Sequence, residues 1–412
     1  MAELKHILDG YKVLDFTQVL AGPTVTRLMA EMGAEIIKVE LAPNGELSRG
    51  LPYLRNGRSA YFIQQNRGKK SLCIDARHAK GLAILKQLVK QVDVLVENFA
   101  PGVIGRLGLD YGSVKDLNPK IVMCSISAFG QSGPLSHLPG YDYIAQAYSG
   151  ITSMIGEKDG QPYFPLPGIG DVSTGVHATA AINGALLYRE RTGQGQYVDI
   201  ALLDAYFHCH ELNVQMYSAS GGDIKPTRSG TQHYAICPSG LYKGRETYVF
   251  IMALPHQWPS VCRAIGRPEL ADDPRFVDNE ARLQNTEAVA RILEDWIASM
   301  PSDAAALRAL EEARVPVAPV LSVEQAVNHP HMRQRQTVRT VTDRAFGEFQ
   351  IPGMPLRFSA FPDLLPLEAP FLGEHNAEIL HRYLGYAAEQ VRALEEEGVL
   401  KREVPDPPDR PV

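Results

Sequence analysis

Residues 12–40 read KVLDFTQVLAGPTVTRLMAEMGAEIIKVE and place two short apolar runs on either side of a helix-like segment. The runs at 12–16 and 35–39 are rich in Val and Ile, which favours strands, while residues 24–32 show the pattern of a helix. Two strands joined through a helix run parallel, because the helix returns the chain to the end of the sheet at which the first strand began. This stretch therefore predicts an α/β fold.

The same alternation continues outward from this stretch. Further strands are predicted at 71–74, 92–97, 121–127, 197–201 and 248–253, and further helices at 80–91, 172–189, 257–265, 286–299, 302–312 and 387–397, with one more ending near 217. The Gly-rich segments 132–170 and 221–240 predict loops, and loops of this length are usually functional or mobile. We expect a parallel sheet covered by helices on both faces, followed by a smaller α+β region.

Composition and charge exclude several classes of protein. The 412 residues are 45% apolar and 21% charged, with a net charge of −6, whereas a dedicated nucleic-acid or anionic-membrane binder needs a basic excess. The five cysteines are scattered, which fits a reducing compartment. The first twelve residues lack the apolar core of a signal peptide, and no apolar run is long enough to cross a bilayer. We expect a soluble, cytoplasmic protein.

Motifs for nucleotides and metals are weak or missing. The sequence contains no Walker P-loop, and the glycines of GIGDVSTG (168–175) do not follow a strand, so a Rossmann-type NAD site is improbable. His208 and His210 are two residues apart on a predicted helix and point to different faces. The pair His329 and His331 lacks a third ligand nearby in sequence. No metal site is predicted.

Asp171 lies at the junction between a Pro- and Gly-rich loop and the helix predicted from 172. One interpretation is a helix N-cap, a position that favours Asp. The other is a nucleophile, because a helix N-terminus stabilises a carboxylate and a reference pKa of about 3.9 leaves Asp ionised at neutral pH. Gly168 and Gly170 would let a bulky reactant approach the backbone closely. The residue pattern alone leaves both interpretations open.

The order of several segments resembles the class III coenzyme A transferases, of the formyl-CoA transferase or CaiB-BaiF type, over nearly the whole chain. The matching segments are KVLDFTQVLAGP (12–23), GAEIIKVE (33–40), NRGKKSL (66–72), DVLVENFAPGV (93–103), GQSGP (130–134), GDVSTG (170–175), TGQGQYVD (192–199), VPVAPV (315–320) and LGEH (372–375). Each segment is weak evidence by itself. Their shared order is a specific signal.

The resemblance implies roles for individual residues. Asp171 matches the family's catalytic aspartate, and Tyr61, Tyr141 and Asp142 match positions that line its acyl pocket. The positions that match coenzyme A contacts are Leu20, Ala21, Ile74, Asp75, Ala76, Arg77, Asn98, Phe99, Ala100 and Arg106. Basic side chains near the predicted strand ends would suit the phosphates of coenzyme A, and they are Lys38, Arg49, Lys69, Lys70, Arg77 and Arg106.

The resemblance also implies an architecture and a set of partners. A Rossmann-like large domain would be built from 1–224 and 326–412, with a small domain at 225–325 inserted between them. Family members form interlocked homodimers. The expected substrates are a coenzyme A thioester and a small carboxylic acid, with no tightly bound cofactor and no metal, because transfer conserves the energy of the thioester.

Departures from the family pattern bear on the substrates. Oxalate-specific members carry glutamine where this chain has Leu20, and a run of glycines where it has GTQHY (230–234), a loop that is a candidate for covering the site. These differences argue against oxalate and formate. A succinyl-CoA-dependent transferase for another small dicarboxylate, such as malate, citramalate or itaconate, fits at least as well. The sequence leaves the donor and the acceptor open.

Two other functions are weighed. An α-methylacyl-CoA racemase of the same superfamily uses a histidine at the position of Tyr141, and tyrosine, with a reference pKa near 10, is a poor base at neutral pH. A noncatalytic coenzyme A-binding protein would not need Asp171 within an intact GDVSTG. The sequence therefore favours a transferase.

Overall fold

A six-stranded parallel sheet forms the centre of the computed structural model, which describes residues 4–403. The strands are β1 (Lys12–Asp15), β2 (Glu35–Leu41), β3 (Leu54–Arg55), β4 (Arg58–Ser59), β5 (Lys69–Ile74), β6 (Val94–Glu97), β7 (Val122–Ser127), β8 (Gln196–Ala201), β9 (Ser239–Lys243), β10 (Tyr248–Met252), β11 (Val317–Pro319), β12 (Val338–Asp343) and β13 (Gly347–Pro352). The large sheet has the order β5-β2-β1-β6-β7-β8, and all its neighbours are parallel. The predicted α/β class is confirmed.

Helices connect these strands and cover both faces of the sheet. They are α1 (Ala21–Glu31), α2 (Ala60–Asn66), α3 (Ala79–Val89), α4 (Val103–Arg106), α5 (Tyr111–Leu117), α6 (Asp142–Ser149), α7 (Ile169–Thr192), α8 (Leu202–Phe207), α9 (Asn213–Ala219), α10 (Trp258–Ala264), α11 (Asn279–Gln284), α12 (Thr286–Ser299), α13 (Asp303–Glu312), α14 (Val323–Asn328), α15 (Pro330–Gln334), α16 (Asn376–Leu384) and α17 (Ala388–Glu396). Within residues 4–403, no helix has both the length and the apolar character needed to cross a membrane.

Consecutive residues of the central strands pack into opposite cores. Val13 and Val94 belong to the cluster that includes Val25 of α1, whereas Leu14 and Leu95 belong to the cluster on the other face. A strand buried on both sides needs apolar residues at every position rather than at alternate ones. This is why the strand sequences are continuous apolar runs.

The order in which strands are added to the sheet reverses at β1. From β1 the chain passes to β2 and then β5 on one side, and it later crosses to β6, β7 and β8 on the other side. In open parallel sheets such a point leaves a crevice at the carboxyl ends of the two diverging strands, where ligands bind. The crevice in this protein lies between the ends of β1 and β6.

Two compact units make up the chain. Of the described residues, one unit contains 4–151, 165–211 and 331–403, and it carries the parallel sheet. The other contains Thr152–Phe164 and Leu212–Pro330, with the antiparallel sheet β11-β10-β9 beside the helices α10 to α13. Its core includes Trp258, Phe276 and Leu293. That 225–325 folds as a domain stays a prediction.

The last part of the chain completes the first unit. The Lys401 N–H donates to the Cys73 carbonyl at 3.1 Å, and the Asp75 N–H donates to the Val399 carbonyl at 2.8 Å, so residues 399–401 lie against the end of β5. Arg58 forms a buried ion pair with Asp343, with 2.6 Å between Nη2 and Oδ2. The first unit is therefore built from both ends of the chain.

Several sequence-based boundaries are wrong, and three of them lie near the candidate site. The segment 132–170, predicted to be a loop, contains α6. Helix α7 begins at Ile169, three residues before the predicted start. The helix predicted to run to about 217 is interrupted after Phe207 and resumes as α9 at Asn213. In the interruption, a ring nitrogen of His210 lies 2.9 Å from the Ser149 carbonyl. Each boundary depends on contacts with residues that are distant in sequence.

Candidate active site

A cavity of about 350 Å³ occupies the crevice at the carboxyl ends of β1, β6 and β7. Its lining includes the predicted residues Leu20, Ala21, Asn98, Phe99, Ala100, Tyr141 and Asp171. These residues come from the segments after β1 and β6, from the residue before α6 and from the start of α7. Seven of the residues singled out from the sequence therefore share one site.

Asp171 is not a helix N-cap. The N-cap position of α7 is Gly168, and Asp171 is the third residue of the helix. Its own backbone N–H donates to Oδ2 of Asp142 at 2.8 Å, so a carboxylate from α6 satisfies that part of the first turn. The Asp171 side chain has no capping role, and it is available to the cavity.

The protonation of Asp171 differs from the expectation for a solvated carboxylate. Burial, followed by the negative charge of Asp142, raises the pKa of Asp171 to about 7. The favourable effect of a helix N-terminus is typically about 0.3–1 kcal/mol, which is too small to offset this desolvation. The carboxyl of Asp171 is therefore harder to ionise than the solvated aspartate that the sequence pattern led us to expect.

Tyr206 is a site residue that sequence reasoning missed. Its hydroxyl accepts the Gly170 N–H at 3.0 Å and donates to Oδ1 of Asp142. A Cβ atom on Gly170 would lie 2.1 Å from Cε2 of Tyr206. The glycine thus makes room for the tyrosine ring and not, as expected, for a reactant. No sequence motif marks Tyr206, which follows Asp171 by 35 positions.

The segment between β1 and α1 is held by side chains from neighbouring strands. Asn98 accepts the Gln18 N–H at 2.7 Å and donates to the Gln18 carbonyl at 2.9 Å. Lys38 donates to the Thr17 carbonyl at 2.8 Å. These bonds hold Val19 at a φ of 65°, a conformation that β-branched residues rarely adopt. The amide of Asn98 therefore fixes the cavity wall.

Other predicted coenzyme A contacts also lie at the carboxyl ends of the strands, but outside the cavity. Ile74 ends β5, and Asp75, Ala76 and Arg77 follow it, two strands from β1. The Arg77 side chain is 79% exposed and pairs with Asp75 at 3.2 Å. Arg106 is exposed at the end of α4.

Tyr61, on α2, does not line the cavity, yet it lies within the electrostatic reach of Asp171. Burial, the charge of Asp171 and the charge of Glu46 together raise the Tyr61 pKa to about 12.

Four of the six basic residues expected at the phosphates have internal partners instead. Lys38 and Lys69 are fully buried, with Lys38 Nζ 2.5 Å from Glu46 Oε2 and Lys69 Nζ 3.0 Å from Asp15 Oδ2. Arg49 pairs with Glu40 at 2.7 Å and Lys70 with Glu35 at 2.9 Å. The expected phosphate contact is therefore wrong for Lys38 and Lys69, because a fully buried cation requires its internal partner. For Arg49 and Lys70, which are partly exposed, it stays a prediction. In the part of the chain that the structure describes, no three His, Cys, Asp or Glu side chains converge as metal ligands would.

Comparison with known proteins identifies the family. The model of CoA-transferase family III matches residues 8–376. A formyl-CoA:oxalate CoA-transferase of Streptomyces avermitilis is 37% identical over 410 residues, covering 95% of this chain and 99% of that protein. A succinyl-CoA:glutarate CoA-transferase of Mus musculus is 34% identical over 398 residues, covering 96% and 90%.

A solved structure shares the fold over almost the whole chain. The crystal structure of a CaiB/BaiF family protein from Brucella suis superposes with a TM-score of 0.80 at 33% identity, covering 92% of this chain and 100% of that one. Fold, sequence and the shared order of motifs thus agree. The chain belongs to CoA-transferase family III and is an enzyme of that family.

Proposed function

We propose that this enzyme moves coenzyme A from an acyl-CoA donor, such as succinyl-CoA, to a small carboxylic or dicarboxylic acid, with Asp171 as the covalent nucleophile. The observation that carries the proposal is the position of Asp171. Asp171 lines the cavity at the crevice of the parallel sheet, and its backbone N–H donates to the carboxylate of Asp142. A carboxylate needs no partner base once it is ionised.

The first half-reaction loads the enzyme. The Asp171 carboxylate attacks the thioester carbonyl of the donor, which forms an aspartyl–acyl anhydride and breaks the bond to sulfur, so that coenzyme A leaves as the thiolate. The thiolate then attacks the aspartyl carbonyl of the anhydride. This step forms an aspartyl–CoA thioester and releases the donor acid as its carboxylate.

The second half-reaction is the reverse sequence on a different acid. The acceptor carboxylate attacks the aspartyl thioester, which gives a second anhydride and frees the thiolate again. The thiolate attacks the acceptor's carbonyl, forms the new acyl-CoA and restores the Asp171 carboxylate. The net reaction exchanges one coenzyme A thioester for another, so it needs no external source of energy. Anhydrides hydrolyse readily, so the site must limit the access of water to Asp171, which is only partly exposed.

A small dicarboxylate is the proposed class of acceptor. The two transferases named above act, by name, on oxalate and on glutarate, which are both dicarboxylates. Leu20 lines the cavity, and its Cδ2 lies 2.7 Å from where a Cβ of Gly168 would be. An apolar side chain here offers no hydrogen bond to an acid, so we propose an acid other than oxalate. We also propose that the enzyme acts as a homodimer.

Trapping the intermediate tests the role of Asp171. We expect incubation with succinyl-CoA to add coenzyme A to the peptide containing Asp171, as detected by mass spectrometry, and hydroxylamine to convert the adduct to a hydroxamate on that residue. Asp171→Asn and Asp171→Ala should lose the adduct and more than about a thousandfold of the turnover, because the chemistry has no other nucleophile.

Asp204 supplies the matched control. It is also an aspartate in the first turn of a helix, but it is exposed and does not line the cavity. Asp204→Asn should keep both adduct and turnover. The proposal fails if Asp171→Asn exchanges thioesters at the wild-type rate, or if the adduct forms on a different residue with every donor of an acyl-CoA panel.

A further inference from the structure

Asp142, which the family resemblance places at the acyl pocket, is buried beside the cavity rather than in its lining. It is 6% exposed and absent from the lining, whereas its neighbour Tyr141 is 82% exposed and lines the cavity. Asp142 is the first residue of α6. A buried carboxylate needs hydrogen-bond partners, and the partners of Asp142 show what it does.

Both oxygens of Asp142 serve the first turn of α7. Oδ2 accepts the N–H of Asp171 at 2.8 Å, and Oδ1 accepts the hydroxyl of Tyr206. The same hydroxyl accepts the N–H of Gly170 at 3.0 Å. Two successive backbone N–H groups at the start of α7 are therefore bound by one carboxylate–tyrosine pair, which comes from α6 and α8.

We propose that Asp142 and Tyr206 are positioning residues, which hold the first turn of α7 and so fix the orientation of the Asp171 carboxylate, with the charge of Asp142 placed beside it. The inference rests on Asp171 being the nucleophile. Asp142 and Tyr206 hold the backbone from which the Asp171 side chain extends, and the negative charge of Asp142 opposes a second negative charge nearby. A more basic carboxylate is a stronger nucleophile toward the thioester, provided that the working pH keeps it ionised.

The groups that face Asp171 come from three helices. Asp142 of α6 is the charged side chain that raises the pKa of Asp171, after burial itself. Tyr206 of α8 and Tyr61 of α2 also interact with the Asp171 charge, and burial raises the pKa of both tyrosines, so they are neutral at the working pH. Removing the charge of Asp142 should therefore lower the pKa of Asp171, which removal of either tyrosine hydroxyl should not do.

The test is the pH dependence of kcat/KM in two variants. Asp142→Asn keeps an oxygen acceptor for the Asp171 N–H and removes the charge, so the acid limb of the profile should move down by about one pH unit or more. Tyr206→Phe keeps the charge but releases Gly170 N–H and one oxygen of Asp142. It should lower kcat by about tenfold or more, with no downward movement of the acid limb.

Two outcomes would overturn the inference. The first is an acid limb of the kcat/KM profile that stays at the wild-type position in Asp142→Asn. A purely structural role for Asp142 would lower the amount of active enzyme without shifting the pKa of Asp171. Asp142→Ser replaces Asp142→Asn if the latter does not fold, and failure of both neutral variants to fold would assign Asp142 to stability alone. An unmoved limb in an enzyme that still forms the Asp171 adduct rejects only this inference, while absence of the adduct rejects the proposed function itself.

Discussion

Asp171 must meet two opposing requirements. It has to be shielded, because water would hydrolyse an anhydride, and it has to be ionised, because only the carboxylate attacks. Shielding and the charge of Asp142 raise its pKa to about 7, so the ionised form exists at neutral pH, but at a cost in folding free energy. Such a cost is typical of groups placed for function rather than for stability.

That cost gives a prediction for the stability of Asp171→Asn. The folded protein holds the proton up to about pH 7, while the unfolded chain releases it near the ordinary aspartate pKa of 3.8. Stability therefore falls as the pH rises between these values and stays lower above pH 7. Because asparagine cannot ionise, Asp171→Asn should be more stable than the wild type at pH 8, by up to about 4 kcal/mol.

Urea denaturation at pH 8 and pH 5 measures this difference. The gain should shrink at pH 5, where the folded wild type holds its proton. Asp204→Asn, which removes an exposed carboxylate, should give no comparable gain. If Asp171→Asn is less stable than the wild type at pH 8, then the ionised carboxylate does not destabilise the folded protein, and the prediction is wrong.

At the scale of elements, the start of α7 is placed by glycines. A Cβ atom on Gly175 would lie 2.7 Å from the Thr24 side chain and 2.8 Å from the Ala21 carbonyl of α1. The absence of a side chain thus lets α7 approach α1 closely. This approach places Asp171, one turn earlier on α7, next to Leu20 and Ala21 in the cavity wall.

The glycines of α7 permit a matched test. Gly170→Ala would bring a methyl group to within 2.1 Å of the Tyr206 ring, so the ring must move and kcat should fall by about tenfold or more. Gly184→Ala, in the same helix, has nothing within 4 Å of the new methyl group. It should keep wild-type kinetics and gain about 1 kcal/mol of stability, because alanine is the better helix former.

Thermal denaturation and steady-state kinetics of the two variants separate these effects. Wild-type activity in Gly170→Ala would mean that the position of the Tyr206 ring is unimportant for turnover. Equal loss of activity in both variants would instead point to α7 as a whole.

At the scale of the whole molecule, the first unit depends on contacts between the two ends of the chain. Arg58 and Asp343 are 285 positions apart, and their side chains are only 4% and 2% exposed. Arg58 also donates to the carbonyls of Pro370 at 3.0 Å and Ala369 at 3.1 Å. The end of the chain is thus attached to the part that carries the site.

Breaking this pair should destabilise the protein strongly. Asp343→Ala leaves a buried, partly unpaired guanidinium, so the free energy of unfolding should fall by about 3–5 kcal/mol. The double variant Arg58→Met, Asp343→Leu removes both charges and should recover much of that loss. Urea denaturation of Arg58→Met, Asp343→Leu and the double variant measures the coupling free energy between the two side chains. Glu389→Ala, in an exposed pair with Arg392, should cost less than about 1 kcal/mol. Additive effects of Arg58→Met and Asp343→Leu would contradict the prediction.

The sequence alone determined the fold class and the family. Strand and helix patterns depend on neighbours within a few positions, so apolar runs such as those at 12–16 and 35–39 show them directly. The segment GDVSTG, together with the other motifs in the same order, identified the family, which the comparisons confirm, and assigned the role of Asp171 that we propose.

Only the tertiary structure decided the surroundings of that residue. Asp142 and Tyr206 contact Asp171 and Gly170 because α6, α7 and α8 pack together. Lys69 of β5 pairs with Asp15 of β1 because only β2 separates these two strands in the sheet. Such pairs join positions far apart along the chain, and no local pattern records which of them come into contact. Burial and charge then set the pKa of Asp171, because both depend on what surrounds the carboxyl in space and not on its neighbours in sequence.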